Sequence, residues 1–152
     1  MAAGLFELQR TGDDTSGQHW ETTRRMGVNT LAFRGGQHGT FFAADADCVG
    51  ITKDIPRNFN KQWLDLLSRS GTPLFVSAAP DAIGPEQRKA LREGFARASV
   101  SHPVAEPLDW LDTTTPERWK GWGRDRELRL VRYNWRYSRL TKFSAAQTPL
   151  SF

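Results

Sequence analysis

The chain has 152 residues, 38% of them hydrophobic and 25% charged, with a formal net charge of +4. That length admits one domain with a real core, but neither a complete eight-stranded α/β barrel nor two full domains. Cys48 is the only cysteine, which excludes an internal disulfide and a cysteine-based zinc site, and no apolar run approaches the roughly 20 residues that a bilayer-spanning helix requires.

The opening MAAGLFELQR lacks a basic segment followed by an apolar one and so does not read as a secretory signal. A reducing, cytoplasmic setting without a membrane partner is the expectation. After the loop RTGDDTSGQHW, residues 20–33 predict a helix closed by Gly35-Gly36. Thr40–Ala43 forms a short β-rich run, after which the sequence turns polar. In NKQWLDLLSRSG, Trp63, Leu66 and Leu67 fall on one helical face and Gly71 stands at the stop. Pro73–Ala78 reads as a buried strand closed by Pro80. GPEQRKALREGFARAS then places Pro85 in a first turn, acids early and bases late. Helices alternating with strands in this way give the rhythm of βα units, whose strands are parallel and whose functional loops follow the strand C-termini.

PVAEPLDWLDTT, Pro103–Thr114, predicts a linker and the first strand of a β domain. From Lys120 the expected structure is irregular, because RELRLVRYNWRYSRLTKF shows neither caps nor a consistent period. This tail also holds the basic excess. From Pro116 onward nine Lys/Arg stand against three Asp/Glu, a local net of +6, which leaves −2 for the first 115 residues. Such an arm, with Tyr133, Trp135 and Tyr137 interleaved, is one way to bind single-stranded nucleic acid.

Chemistry concentrates in two places. Arg10, Asp13 and Asp14 admit two readings. With Thr15 and Ser16 the aspartates can cap the following helix, or one of them can act as general acid/base in glycosidic cleavage while Arg10 holds sugar hydroxyls. Asp45 and Asp47, at i and i+2 on an extended segment, point the same way and suit metal binding, substrate binding or loop bracing. Trp20 and Trp63 can be core residues or sugar platforms. Cys48 lacks an activating His and acid partner and reads as a small buried side chain. His19, His38 and His102 have no i,i+4 spacing, so no metal site is expected.

In order, RTGDDTS…W, NTLAFRGGQHGTFFAADADCV and WLDLLSRSGTPLFVSAAPDAIGPEQRKALREGF resemble the melibiase-type α-galactosidases. These are retaining glycosidases with a (β/α)8 barrel followed by a β-sandwich. The likeness runs from Phe6 to Trp119 and continues through PLDWLDTTTPERW. It implies a partial TIM barrel over residues 1–102, comprising about its last three βα units, a linker and first β strand over 103–119, and a tail over 120–152. It also implies that Asp14 is the acid/base, that Arg10 contacts sugar and carboxylate, and that His38, Asp45 and Asp47 belong to the sugar rim; Asp13, at a position where the family needs no carboxylate, and Trp20 are counted with the substrate-binding residues. The substrate would carry a terminal α-linked sugar, and no metal or organic cofactor is implied. Gly35-Gly36 departs from the family's aromatic pair before the match to His38-Gly39.

The family's nucleophile lies on an earlier barrel strand, so the resemblance places it in a piece upstream of Met1. Retention needs two carboxyl groups about 5 Å apart, and the chain as written is expected to be inactive alone. Where the family continues toward YDWYG, this chain has ELRLVRY, Glu127–Tyr133. One permitted codon spelling of that segment, read one base later, gives Asn-Tyr-Asp-Trp-Tyr-Gly, so an out-of-frame tail is a second expectation. The alternative class of function is a non-catalytic protein that binds carbohydrate, or nucleic acid through the tail.

Overall fold

The structure, a computed structural model, describes residues 6–136. It opens with strand β1 (Leu8–Arg10) and a continuous helical stretch. That stretch starts as α1 (Trp20–Thr23), widens into a π-helical turn (Arg24–Val28) and resumes as α2 (Asn29–Arg34). Asp13 and Asp14 do not cap it. The N-cap is His19, and Ser16 Oγ accepts the N–H groups of Gln18 and His19, each at 3.0 Å.

The strand expected at Thr40–Ala43 lies further along and has two parts, β2 (Ala43–Asp45) and β3 (Cys48–Ile51). Between them Asp47 takes φ 67°, a left-handed conformation that costs a non-glycine residue about 1–2 kcal/mol. The break lets one line of chain serve two neighbours. β2 pairs in parallel with β1, Arg10 lying opposite Asp45, while β3 pairs in parallel with β4 (Phe75–Ala78), Cys48 opposite Phe75.

Helix α3 (Arg57–Arg69) starts after Pro56 and buries Phe59, Trp63, Leu66 and Leu67 at helical spacing. It stops where Gly71 adopts φ 77°. A Cβ at Gly71 would lie 2.8 Å from the Pro103 carbonyl oxygen, so both the turn and the close approach require glycine. Helix α4 (Pro85–Ala98) has Pro85 in its first turn and Gln87 Oε1 accepting the Gly84 N–H at 3.1 Å. The order of parallel strands and following helices is that of βα units, and no barrel closes among the described residues.

The largest correction concerns the tail. Instead of an irregular segment from Lys120, β6 (Arg118–Trp122) and β7 (Leu128–Arg132) form an antiparallel hairpin, and β5 (Glu106–Pro107) pairs along the other edge of β6. Beyond β7 the chain turns inward, with Tyr133 stacked on Trp135 at 4.8 Å. The Trp135 indole N–H donates to the Pro116 carbonyl at 2.6 Å, and the Trp20 indole N–H donates to the Trp135 carbonyl at 2.9 Å. Trp20 in turn stacks on Phe59 at 4.7 Å. The core therefore joins the α/β part to the three-stranded sheet, each large apolar side chain contributing about 1.5–3 kcal/mol. The remaining part of the expected tail, 137–152, lies outside the described residues. Among the described residues no helix is long and apolar enough to cross a membrane.

Candidate functional site

Arg10 ends β1 directly opposite Asp45, and its guanidinium gathers the acidic residues singled out in the sequence. It pairs with Asp14 on the loop after β1, with Asp47 at 3.2 Å through Nη2, and with Asp45 at 3.8 Å through Nε. One cation thus faces three carboxylates at the C-terminal ends of two adjacent parallel strands. Asp14 is the open member, its side chain 79% exposed, whereas the side chains of Asp45 and Asp47 are 12% and 10% exposed. An exposed ion pair contributes at most about 1 kcal/mol, so the Asp14 contact orients a carboxylate more than it stabilises the fold.

Asp45 and Asp47 do converge, but not by the extended geometry that their spacing suggests. The positive φ at Asp47 breaks the strand, and Asp45 Oδ1 accepts the Asp47 N–H at 2.7 Å to close a local turn. Asp47 then accepts the Thr15 N–H at 2.6 Å and the Thr15 hydroxyl at 3.0 Å. Burial pushes the Asp47 carboxyl upward, but the N–H groups of Thr15 and Cys48, the Thr15 hydroxyl and the Arg10 charge outweigh it and leave the pKa below its ordinary value. Asp47 is therefore a fixed anion that anchors both Arg10 and the Asp14 loop. Thr15 was legible only as a capping residue. Its partner lies 32 positions away, a distance at which no local spacing rule operates.

The other sequence candidates fall into different roles. Asp13 is exposed and accepts the Asp14 N–H at 2.8 Å, which shapes the loop that carries Asp14. His38 Nδ1 accepts the Ala44 N–H at 3.0 Å, which requires the proton to sit on Nε2, and burial lowers its pKa. It braces the residue before Asp45, and no hydrogen bond or ion pair joins it to Arg10 among the described residues. Trp20 is a correction. At 4% exposure, stacked on Phe59 and hydrogen-bonded to Trp135, it is a core residue and offers no face to a sugar. Trp63 is fully buried. Cys48 is half-buried, and burial together with the neighbouring Asp47 charge raises its thiol pKa, so it is a poor nucleophile.

The tail aromatics are corrected as well. Tyr133 and Trp135 are 4% and 1% exposed and cannot stack on nucleobases, and Tyr137 lies outside the described residues. Several of the tail's basic groups are already paired, Arg132 and Arg136 with Glu117 and Lys120 with Glu106. No group of three or more His, Cys, Asp or Glu side chains among the described residues is arranged to hold a metal ion. No family model matches the chain, and neither a curated protein nor a solved structure matches it.

Proposed function

We propose that the chain is the acid/base-bearing part of an α-galactosidase-like retaining glycoside hydrolase, a partial (β/α)8 barrel followed by the start of a β domain. The carrying observation is Arg10. It joins an exposed carboxylate on the loop after one strand to two buried carboxylates at the end of the parallel strand beside it. Sites of α/β barrels are built at that edge. Asp14 protonates the leaving oxygen of a terminal α-linked sugar and later takes a proton from water, while Arg10 orients it and Asp47 anchors Arg10. The nucleophilic carboxylate belongs to βα units outside this segment, so the chain alone does not complete the double displacement.

Azide can stand in for a missing nucleophile. It attacks the anomeric carbon, the bond from that carbon to the aryl oxygen breaks, and Asp14 supplies the proton to the departing phenolate. With 4-nitrophenyl α-galactoside the purified chain is expected to release no product in plain buffer. With sodium azide it should form β-galactosyl azide slowly, and Asp14→Asn should lower that rate about 100-fold. Turnover without azide would overturn the incomplete-site part. The absence of both an azide product and any saturable galactose binding would overturn the proposal.

A further inference from the structure

At the ends of helices α3 and α4 a second group of charges collects. A shallow, open cavity there is lined by Arg69, Arg97, Gly123, Arg124, Asp125 and Arg129. We propose that it binds a small molecule carrying a phosphate group, held by Arg124 with Arg69 and Arg97 beside it. The site is distinct from the Arg10 cluster and does not depend on the glycosidase proposal.

Helix-end compensation explains part of the arrangement. Arg69 and Arg97 occupy the last turns of their helices, where a positive charge is favoured. Both reach Asp65, Arg69 Nε at 2.9 Å and Arg97 Nη1 at 2.8 Å, and the Tyr133 hydroxyl donates to the same carboxylate at 2.9 Å. One carboxylate cannot neutralise two guanidiniums. Arg97 Nη1 also donates to Ser68 Oγ at 2.6 Å, and Arg69 Nη1 reaches the Trp122 carbonyl at 3.4 Å. Among the described residues this leaves Nη2 of both side chains without a partner.

The hairpin turn supplies the other wall. Arg129 is held by Asp125 at 2.6 Å and Glu127 at 3.0 Å, whereas Arg124 is exposed and has no ion pair or hydrogen bond among the described residues. Neither helix-end compensation nor hairpin pairing accounts for Arg124 on the cavity wall. Gly121 fixes the approach of the two walls, since a Cβ there would lie 3.1 Å from Arg69 Cβ. The unpaired guanidinium of Arg124 and the unused Nη2 groups of Arg69 and Arg97 suit the oxygens of a phosphate.

The test is calorimetric titration of the purified chain with sodium phosphate and with pyrophosphate at constant ionic strength. Saturable one-site binding is expected, tighter for pyrophosphate. Arg124→Gln should weaken it about tenfold without moving the urea midpoint, because Arg124 is exposed. Arg132→Gln, which removes an exposed arginine that does not line the cavity, should leave binding unchanged. Equal loss in both variants would mean diffuse attraction and would overturn the proposal. So would the absence of saturable binding by either anion, or tighter binding of a single-stranded oligonucleotide than of pyrophosphate.

Discussion

The Arg10 cluster and the cavity at the ends of α3 and α4 use the same ion pair in different proportion. In the first, one guanidinium serves three carboxylates; in the second, four guanidiniums meet three carboxylates, Asp65 pairing with Arg69 and Arg97, and Asp125 and Glu127 with Arg129, so that among the described residues Arg124 is left over. Each region leaves a charge of one sign facing outward, and a ligand is expected where the pairing is incomplete. The two regions also depend on pH at opposite ends. Asp47 has a lowered pKa, so its stabilisation is complete above the unfolded value of about 3.9 and is lost as pH falls through the native value. Tyr133 has a pKa raised well above the ordinary value, by burial first and then by the Asp65 charge. Its stabilisation is complete below the unfolded value of about 10 and is lost as pH rises beyond it.

Substitutions can separate the two regions. The largest effect is expected for Trp135→Ala, which empties the core that joins the sheet to α1 and should cost about 3–5 kcal/mol in urea unfolding. If the helical signal persists while the sheet is lost, the regions fold independently and the shared core is not their common support. Asp47→Asn should cost about 1–3 kcal/mol at neutral pH by weakening the Thr15 and Arg10 contacts. Its stability should also be flatter in acid than that of the parent, and an unchanged acid limb would show that another carboxylate controls it. The smallest effect is expected for Tyr133→Phe, about 1 kcal/mol, with the loss of stability above pH 10 reduced. A steeper alkaline limb would show that the phenol is not the group responsible.

The helices and the position of β4 were legible because local rules govern them, although β4 alternates exposed and half-buried residues and is not the buried strand that its apolar run suggested. α3 carries Trp63, Leu66 and Leu67 on one face and ends at glycine, and α4 begins with proline. β3 was hidden because it has only four residues, interrupted by Gly50, and because its register depends on β4, more than twenty residues later. The hairpin was hidden for a different reason. LRLVR in β7 alternates between exposed and half-exposed positions, so it lacks the apolar face by which a half-buried strand is recognised. Its anchors are Tyr133 and Trp135, beyond the strand, and their partners Asp65 and Pro116 come from elsewhere in the chain. At the candidate site the i,i+4 spacing of Arg10 and Asp14 was informative. The turn between Asp45 and Asp47 was not, since left-handed aspartate leaves no periodic trace.

The aromatic junction also makes the molecule its own optical probe. Trp20 lies nearly parallel to Phe59, with 3° between the rings, and tilts by 33° against Trp135, which stacks on Tyr133. Rings held at such fixed angles in an asymmetric setting couple their transitions, giving near-ultraviolet circular dichroism that vanishes once they rotate freely. The signal arises where the sheet meets the helices, whereas far-ultraviolet dichroism follows the backbone of α3 and α4. Comparing the two bands would reveal separation of the sheet from the α/β part without any added label.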